Sequence, residues 1–540
     1  MSDALALADL WERVADTLPD APALSQGDHP VSWAQMDRRA DGIAAAILAD
    51  GAVEQAKVAQ YLYNSNEYLE SVLACFKAGL VPVNTNYRYG PDELAYLWDN
   101  ADAVAVVFHG AFAERIATVR RRVPRVRTYL WVDDGTGPCP PWAVAYEQAA
   151  TSGAARSAPP WGRSGDHLLL LYTGGTTGMP KGVMWRQADL IASLDAANRK
   201  RLPPDREAAS GPLSKPGPRN LPAAPLMHGT GLFNAMSTLM VGGSVHTLVG
   251  RHFDVVELLD TVEAKKINSM SIVGDAFAKP LLRALDGEPG RWEIASLRVI
   301  VSSGVMWSAD TKAGLIRHNE RLILVDSLGS SEAIGMASST TTAGSVGKTA
   351  TFELSENTRV ITEHGRDVVA GSGERGRVAT RGHTPVGYYK DPEKSASTFV
   401  MIGGVRYSMP GDWAEVDADG TVRLLGRGSQ CINTGGEKVY PEEVEEVLKL
   451  YPGVADAAVV GLPDERFGEA IAAVVELHEG HPADEAALIA HVRQRLAHYK
   501  APKRVFLGAV GRAANGKLDY TRLKAEATER VAKGERHGER

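Results

Sequence analysis

Runs of apolar residues that end in small residues recur along the chain. Three of them are LLLLYTGG at 168–175, LRVIVSSG at 297–304 and RLILVDSLG at 321–329. Because successive side chains of a strand point to opposite faces, a continuous apolar run predicts a strand buried on both sides of an α/β sheet. Ligands of such sheets bind beyond the carboxyl ends of the strands, so we expect the three small-residue loops to border one pocket.

The pattern changes after Gly426. The segment PEEVEEVLKLY at 441–451 begins with proline and glutamate, as the first turn of a helix does. Three runs typical of strands and one helical segment follow, at 456–462, 470–477, 503–510 and 484–499. This pattern predicts an α/β fold with a large N-terminal domain of residues 1–426 and a small α+β domain of residues 427–540.

The composition excludes several classes of protein. The net charge of the 540 residues is -7 and the body of the chain has no basic tract, so nucleic acid is not expected as a partner. No apolar run approaches the roughly 20 residues of a membrane span, and the N-terminus is acidic where a signal peptide is basic. Three cysteines without metal-binding spacing indicate a reducing compartment. We therefore expect a soluble, cytoplasmic protein with no integral membrane segment; whether it forms a homodimer stays open.

A loop of glycine and threonine, TGGTTGMPKG at 173–182, follows the first apolar run. Backbone N–H groups of such a loop can bind phosphate oxygens, threonine hydroxyls add donors and a lysine adds charge. The loop is not a Walker A motif, because Met179 and Pro180 stand before the lysine. A flexible surface turn is the alternative, but the position after a buried strand favours phosphate binding. The candidate phosphate ligands are Thr173, Gly174, Gly175, Thr176, Thr177, Gly178 and Lys181.

This loop is the first of several motifs that resemble those of the adenylate-forming superfamily, which includes acyl-CoA synthetases, luciferases and adenylation domains. The others follow in the family's order: PLMHGTGL at 225–232, SLGSSE at 327–332, YSMPGD at 407–412, GRGSQCINTGGEKVYPEEVE at 426–445 and NGKLDY at 515–520. The resemblance implies a large N-terminal domain of several subdomains and a small, mobile C-terminal domain. The hinge would lie at Gln430, where the family usually has aspartate or lysine.

The resemblance also implies a reaction. A carboxylic acid attacks the α-phosphorus of ATP to give an acyl adenylate and pyrophosphate, and coenzyme A then takes the acyl group. Because the acid and ATP are both anions, Mg²⁺ and positive charge are needed. In this sequence Glu332 would bind Mg²⁺, and Lys517 would be the catalytic lysine of adenylation. His228 would act at the acyl pocket.

The remaining nucleotide and thiol contacts are implied by position in the motifs. Asp412 would accept hydrogen bonds from both ribose hydroxyls, and Arg427 would support the same ribose. Leu328 stands where the family has an aromatic residue, so apolar contact would replace stacking on adenine. The adenine and the α-phosphate would lie among Ser303, Gly304, Val305, Asp326, Ser327, Leu328, Gly329 and Ser331. After the small domain rotates, the thiol channel would be lined by Gly435, Gly436 and Lys438.

The stretches that resemble the family's acyl pocket are apolar and contain small residues, with no arginine or lysine before Lys279. An apolar acid is therefore expected, either a fatty acid or a steroid side-chain acid. Asp275 is a candidate for holding a substrate amine, as in amino-acid-activating members, but its apolar neighbours argue against that role. The candidate pocket residues are His228, Gly229, Phe233, Val273, Val305, Met306 and Gly335.

Three functions have to be compared. The leading one is an AMP-forming acyl-CoA synthetase. The first alternative is a fatty acyl-AMP ligase that passes the acyl group to a carrier-protein thiol, which predicts a docking surface or a fused carrier domain. The second is a non-catalytic nucleotide or lipid sensor, a class in which the catalytic lysine or the metal-binding acid is commonly lost. Both Lys517 and Glu332 are present, which favours the enzyme.

Overall fold

The structure of the protein is a computed structural model. It describes residues 5–173, 179–197, 202, 213, 215–305, 307–345, 351–427, 432–434, 437–464, 468–496, 498–513, 516 and 518–533. The chain divides into two compact units: Met1–Thr349 with Thr380–Ser408, called unit 1, and Ala350–Ala379 with Met409–Arg540, called unit 2. Within the described ranges, no helix is both long enough and apolar enough to cross a membrane.

The helices begin and end as follows. In chain order they are α1 Leu7–Thr17, α2 Trp33–Ala49, α3 Asn66–Lys77, α4 Pro91–Asn100, α5 Ala113–Val119, α6 Tyr146–Ala150, α7 Gln187–Ala197, α8 Gly229–Met240, α9 Val255–Ala264, α10 Asp275–Gly287, α11 Ala309–His318, α12 Pro392–Thr398, α13 Pro441–Lys449, α14 Glu485–Arg493 and α15 Tyr520–Ala532. Short 3-10 turns cover Gly110–Phe112, Arg120–Arg122 and His498–Lys500.

The strands are shorter and more numerous. In chain order they are β1 Pro22–Gln26, β2 His29–Ser32, β3 Lys57–Tyr61, β4 Val81–Asn84, β5 Ala103–His109, β6 Thr128–Val132, β7 Val144–Ala145, β8 Leu168–Thr173, β9 Lys181–Arg186, β10 Arg219–Pro222, β11 Ser244–Thr247, β12 Ser269–Ile272, β13 Val299–Ser303, β14 Ile323–Ser330, β15 Ala333–Thr341, β16 Thr351–Leu354, β17 Thr358–Ile361, β18 Arg375–Arg381, β19 Gly387–Tyr388, β20 Phe399–Ile402, β21 Val405–Ser408, β22 Asp412–Val416, β23 Val422–Arg427, β24 Ile432–Thr434, β25 Glu437–Val439, β26 Val454–Asp464, β27 Gly468–Leu477 and β28 Arg504–Leu507.

Unit 1 contains two largely parallel sheets. The first has the order β2-β1-β11-β10-β12-β13-β14-β15, and its end strands β2 and β15 are antiparallel to their neighbours. The second has the order β19-β9-β8-β4-β3-β5-β6-β7, in which β9 and β19 are antiparallel. A parallel strand needs a crossover to reach its partner, and the helices between the strands provide it. The predicted α/β class is confirmed.

The three apolar runs form strands β8, β13 and β14, as predicted. β13 and β14 are parallel neighbours, with Ser303 opposite Ser327. β8 lies in the other sheet, beside β4. The runs are therefore divided between two sheets, and only the loops after β13 and β14 leave the same sheet edge.

Unit 2 is built from antiparallel strands and three helices. One sheet has the order β16-β23-β22-β18, with β17 beside β18. The other has the order β25-β24-β27-β26, with β28 parallel to β27. Helices α13 and α15 pack on β26, and α14 packs on β28 around a core of Val444, Leu448, Val459 and Leu488. This is the α+β character predicted for the C-terminal part, although the helix predicted at 484–499 ends at Arg493. The boundary between residues 426 and 427 stays a prediction.

Candidate functional site

The β8–β9 hairpin carries both ends of the glycine-threonine loop. Thr173 and Lys181 are opposite each other in the ladder, so the loop starts and ends at one point. The Lys181 ammonium forms an ion pair with Asp391, which also accepts a hydrogen bond from Lys394 N at 2.9 Å and so caps α12. The hydrogen bond from Lys181 is the main reason that the pKa of Asp391 lies below its usual value. One cation and one anion therefore lie at the base of the loop.

Glu332 is a buried acidic residue of the predicted site that two hydrogen bonds hold in place. It lies between β14 and β15 and is 8% exposed. Tyr388 Oη donates to Glu332 Oε1 at 2.7 Å, and Ser408 Oγ donates to the main-chain carbonyl of Glu332 at 2.7 Å. The carboxylate therefore has one oxygen held by a phenol, while no described residue donates to its Oε2.

This arrangement fits Mg²⁺. In the described part of the chain, no three His, Cys, Asp or Glu side chains form a group that could hold a metal by themselves. Mg²⁺ in nucleotide sites is usually bound by one or two carboxylates together with phosphate oxygens and water. A single oriented carboxylate such as Glu332 meets that requirement.

A tryptophan joins the two sheets of unit 1 at the site. Trp185 in β9 is fully buried and donates from Nε1 to Ser331 O at 2.9 Å. Its ring also packs edge-on against Phe233 in α8, with centroids 6.3 Å apart. One side chain of β9 thus contacts both Ser331, the residue before Glu332, and Phe233 of the predicted acyl pocket.

The predicted adenine contacts lie at the ends of two parallel strands. Ser303, Gly304 and Val305 follow β13, and the segment 326–329 ends β14 beside them. Gly304 has a φ of +94°, a conformation that favours glycine. Leu328 is buried, in keeping with apolar contact in place of stacking. The grouping of these residues agrees with the sequence-based prediction, and their contact with adenine stays a prediction.

Asp326 has a partner that the sequence did not reveal. Lys312 in α11 is 1% exposed in its side chain and donates from Nζ to Asp326 Oδ2 at 3.3 Å. Burial raises the pKa of Asp326 to about 6, although Lys312 acts in the opposite direction. A buried aspartate next to a buried lysine is costly to form, so this pair is a candidate functional group.

The predicted acyl-pocket motif forms the start of α8. His228 precedes the helix and is partly buried. Phe233 lies in the first turns of the helix and is 7% exposed. Gly231 approaches the loop closely: a Cβ atom there would lie 2.3 Å from Pro225 O. Val273 belongs to the neighbouring apolar core, and Val305, which is partly buried, packs against that core. Gly229 begins the same helix, whereas Gly335 lies in β15 with a φ of +63°.

Asn84 was missed by the sequence analysis. It is buried at the end of β4, and its Nδ2 donates to Tyr172 O at 2.9 Å and to Met227 O at 2.7 Å. Tyr172 N donates to Asn84 Oδ1 at 2.5 Å. One amide therefore ties the end of β8, just before the phosphate loop, to Met227, the residue before His228. An asparagine at a strand end was the only available signal.

Asp275 is occupied in a way that argues against an amine-binding role. Its Oδ1 accepts from Ser308 N and from Ser308 Oγ, both at 3.1 Å, and Lys279 lies 3.7 Å from its Oδ2. These contacts are those of a residue that joins α10 to the start of α11. The structure thus gives no reason to revise the exclusion of an amino-acid substrate.

The predicted ribose ligands lie in unit 2. Asp412 begins β22 and Arg427 ends β23, and the two are opposite each other in the antiparallel ladder. Asp412 is buried, and the two residues lie on adjacent strands of the sheet. Their role in binding the ribose stays a prediction.

An arginine supports the loop of the terminal motif. Arg512 donates from Nε and Nη2 to the Asp456 carboxylate at 2.5 and 3.0 Å, and from Nη1 to Gly516 O at 2.9 Å. Gly516 directly precedes Lys517 in the sequence. The ion pair with Asp456 therefore fixes the arginine that holds Gly516.

Several predicted residues lie outside the described part of the chain. They are Gly174, Gly175, Thr176, Thr177, Gly178, Met306, Gln430, Gly435, Gly436 and Lys517. Lys438 is in β25, but the structure does not describe its side chain, nor that of Arg427. Their assigned roles stay predictions.

Comparison with protein families places most of the chain. Residues 11–389 match the family described as AMP-binding enzyme. Residues 443–517 match the family described as AMP-binding enzyme C-terminal domain.

Individual relatives are similar to this chain over nearly its whole length. The chain is 39% identical over 539 residues to a medium/long-chain-fatty-acid–CoA/3-oxocholest-4-en-26-oate–CoA ligase of Mycobacterium tuberculosis, and 98% of each chain is covered. It is 38% identical to a 3-oxocholest-4-en-26-oate–CoA ligase of Rhodococcus rhodochrous, with 98% of this chain and 97% of the relative covered. Among solved structures, ATP-bound MatB from Rhodopseudomonas palustris is 27% identical with a TM-score of 0.80, covering 97% of this chain and 99% of its own.

Proposed function

Because the chain belongs to the family of AMP-binding enzymes, we propose that it is an AMP-forming acyl-CoA synthetase that activates an apolar carboxylic acid, either a fatty acid or a steroid side-chain acid. The observation that carries this proposal is the meeting of three motifs in unit 1. Glu332, the β8–β9 hairpin and the start of α8 are connected through Trp185. ATP, Mg²⁺ and coenzyme A are the ligands required.

The first half-reaction uses the groups that line this meeting point. Adenine would lie against the ends of β13 and β14, with Asp326 accepting from its amino group. Lys181 and the loop before it would bind the β- and γ-phosphates, and Ser331 would contact the α-phosphate. Mg²⁺, when bound to Glu332, supplies charge neutralisation between phosphate oxygens. Positioning and electrostatics then supply most of the rate enhancement.

The acid would bind with its apolar body toward Phe233, Val273 and Val305, and its carboxylate toward His228. Val273 belongs to a buried apolar core, Val305 packs against that core, and Phe233 packs on Trp185. A pocket built from such groups favours an apolar ligand over a charged one. A panel of acid substrates determines which acyl chain length or ring system the pocket accepts.

The second half-reaction is attack of the coenzyme A thiol on the acyl adenylate. We propose that residues 427–540 act as the mobile domain, that Gln430 is the hinge, and that Gly435, Gly436 and Lys438 border the thiol channel. Asp412 and Arg427 would bind the ribose. The cytoplasmic location stays a prediction, and whether the protein forms a homodimer stays open.

The alternatives gain no support from the relatives. Transfer to a carrier-protein thiol and a non-catalytic sensor both differ from the activities in the names of the two ligases above, which are CoA ligases. We therefore retain acyl-CoA synthesis as the proposed function.

The test is a panel of fatty, aryl and steroid side-chain acids with ATP, Mg²⁺ and coenzyme A. Pyrophosphate release should require an apolar acid, and mass spectrometry should detect the corresponding acyl-CoA thioester. Omitting coenzyme A should leave an acyl adenylate, which separates the two half-reactions. If no acid in the panel gives pyrophosphate, the proposal is wrong; pyrophosphate without thioester would favour the carrier-protein alternative.

A further inference from the structure

Tyr388 lies in a short turn that contacts two charged residues of the proposed ATP site, Glu332 and Lys181. The turn covers residues 387–391. Its Tyr388 donates to Glu332, and its Asp391 forms the ion pair with Lys181. Tyr388 is 5% exposed, and its ring packs against Phe399 with centroids 5.8 Å apart. A buried phenol directed at a buried carboxylate has a geometry set by the fold rather than by solvent.

The turn is fixed from several sides. Gly387 and Tyr388 form β19, which pairs with β9. Tyr389 N donates to Gly182 O at 2.8 Å, and Tyr388 N donates to Ser395 Oγ at 2.8 Å. The Tyr388 hydroxyl therefore has little freedom to move independently of the hairpin that carries Lys181.

The turn also contains a residue in an unfavourable backbone conformation. Lys390 has a φ of +56°, which L-residues other than glycine rarely adopt. Its Nζ lies 2.8 Å from Asp102 Oδ2, and Tyr389 Oη donates to the same oxygen at 2.9 Å. Such a conformation persists only where the surroundings determine it, and it is concentrated at functional sites. The contacts of Asp102 with Lys390 and Tyr389 hold the backbone in this conformation.

Building on the proposed function, we propose that Tyr388 is a positioning residue for magnesium-nucleotide binding. By holding Glu332 Oε1, the phenol directs Oε2 toward the metal and fixes its orientation relative to the strand that begins at Lys181. Mg²⁺ requires nearly ideal octahedral geometry, so a carboxylate free to rotate binds it less well. Hydrogen bonds to metal-binding groups are worth about 10–100-fold in metal affinity.

The decisive variant is Tyr388→Phe, which removes the hydroxyl and keeps the ring on Phe399. The dissociation constant of α,β-methylene ATP, an analogue that cannot be cleaved at the α-phosphorus, is measured by calorimetry with Mg²⁺ and with EDTA. We expect binding with Mg²⁺ to weaken by at least about 10-fold, and binding with EDTA to be unchanged.

The neighbouring tyrosine is a matched control. Tyr389→Phe removes a hydroxyl from the same turn, but that hydroxyl donates to Asp102. It should leave the ratio of the Mg²⁺ and EDTA dissociation constants at the wild-type value. Melting temperatures of both variants are compared, because a merely structural role would lower the melting temperature and leave the ratio unchanged.

A double-mutant cycle tests whether Tyr388 acts through Glu332. In Glu332→Gln protein the added Tyr388→Phe change should have no further effect on the Mg²⁺ dependence. Equal weakening with Mg²⁺ and EDTA, or an additive effect in the Glu332→Gln background, would overturn the inference. If wild-type protein does not bind the analogue at all, the proposed function itself fails, which is a different result.

Discussion

At the scale of single residues, the Asp326–Lys312 pair determines how the proposed adenine site responds to pH. Asp326 is 5% exposed, and burial raises its pKa to about 6. A raised carboxyl pKa means that the charged form is present above about pH 6 and is lost as the pH falls through that value. The Lys312 ammonium at 3.3 Å favours the charged form.

We therefore expect ATP to bind less tightly below about pH 6, by roughly 10-fold if the charge-assisted hydrogen bond to adenine is lost. Lys312→Met removes the positive charge that stabilises the Asp326 carboxylate. The pKa of Asp326 should then rise further, and the loss of affinity should move to higher pH. The measurement is the ATP dissociation constant between pH 5 and 8. Lys265→Met, the same substitution at a more exposed lysine that pairs with Asp28, should give the wild-type profile; an unchanged profile for Lys312→Met would contradict the assignment.

At the scale of secondary structure elements, Asn84 joins β4, β8 and the segment before α8. Replacing it with alanine leaves the Tyr172 and Met227 carbonyls and the Tyr172 N–H without this partner. Each buried polar group left unsatisfied costs about 1–3 kcal/mol.

Asn84→Ala should therefore lower the free energy of unfolding by about 2–4 kcal/mol and raise the KM for the acid, because the segment before His228 loses its anchor. Urea unfolding and substrate titration measure the two effects. Asn100→Ala is the control: Asn100 accepts from the hydroxyl of the same Tyr172 at 2.6 Å but is only partly buried. An equal effect of both changes on KM would mean that Asn84 has no special link to the acyl site.

The same elements show what the sequence could and could not reveal. The apolar runs predicted β8, β13 and β14, since burial on both faces leaves a local signature. The sequence could not reveal that β8 pairs with β4. Val83 and Leu170 are far apart in the chain, and each apolar strand would fit many partners. Tyr388 and Glu332 are 56 residues apart and meet through tertiary structure, in which β19 pairs with β9 and Trp185 of β9 bonds to Ser331. Motif order therefore identified the carboxylate and not its phenol.

At the scale of the whole molecule, the proposed function assigns the two half-reactions to different residues. Lys517→Ala should slow pyrophosphate release by several hundred-fold or more, since an ammonium at the developing charge is worth about 3–4 kcal/mol. Thioester formation from a supplied acyl adenylate and coenzyme A should be largely unchanged. Rapid-quench assays of each half-reaction measure this, and equal loss in both would contradict the assignment of Lys517 to adenylation.

The division of the chain between its units has a consequence for biosynthesis. Unit 1 is complete only with residues 380–408, although its β1 already pairs with β11 through Leu24 and Val245. A ribosome adding 5–20 residues per second needs roughly 20–80 seconds to reach that point. Throughout that interval the nascent chain exposes strand edges whose partners have not been translated. Because unpaired strand edges are prone to aggregation, we expect the nascent chain to be most sensitive to aggregation before residue 408 has been translated.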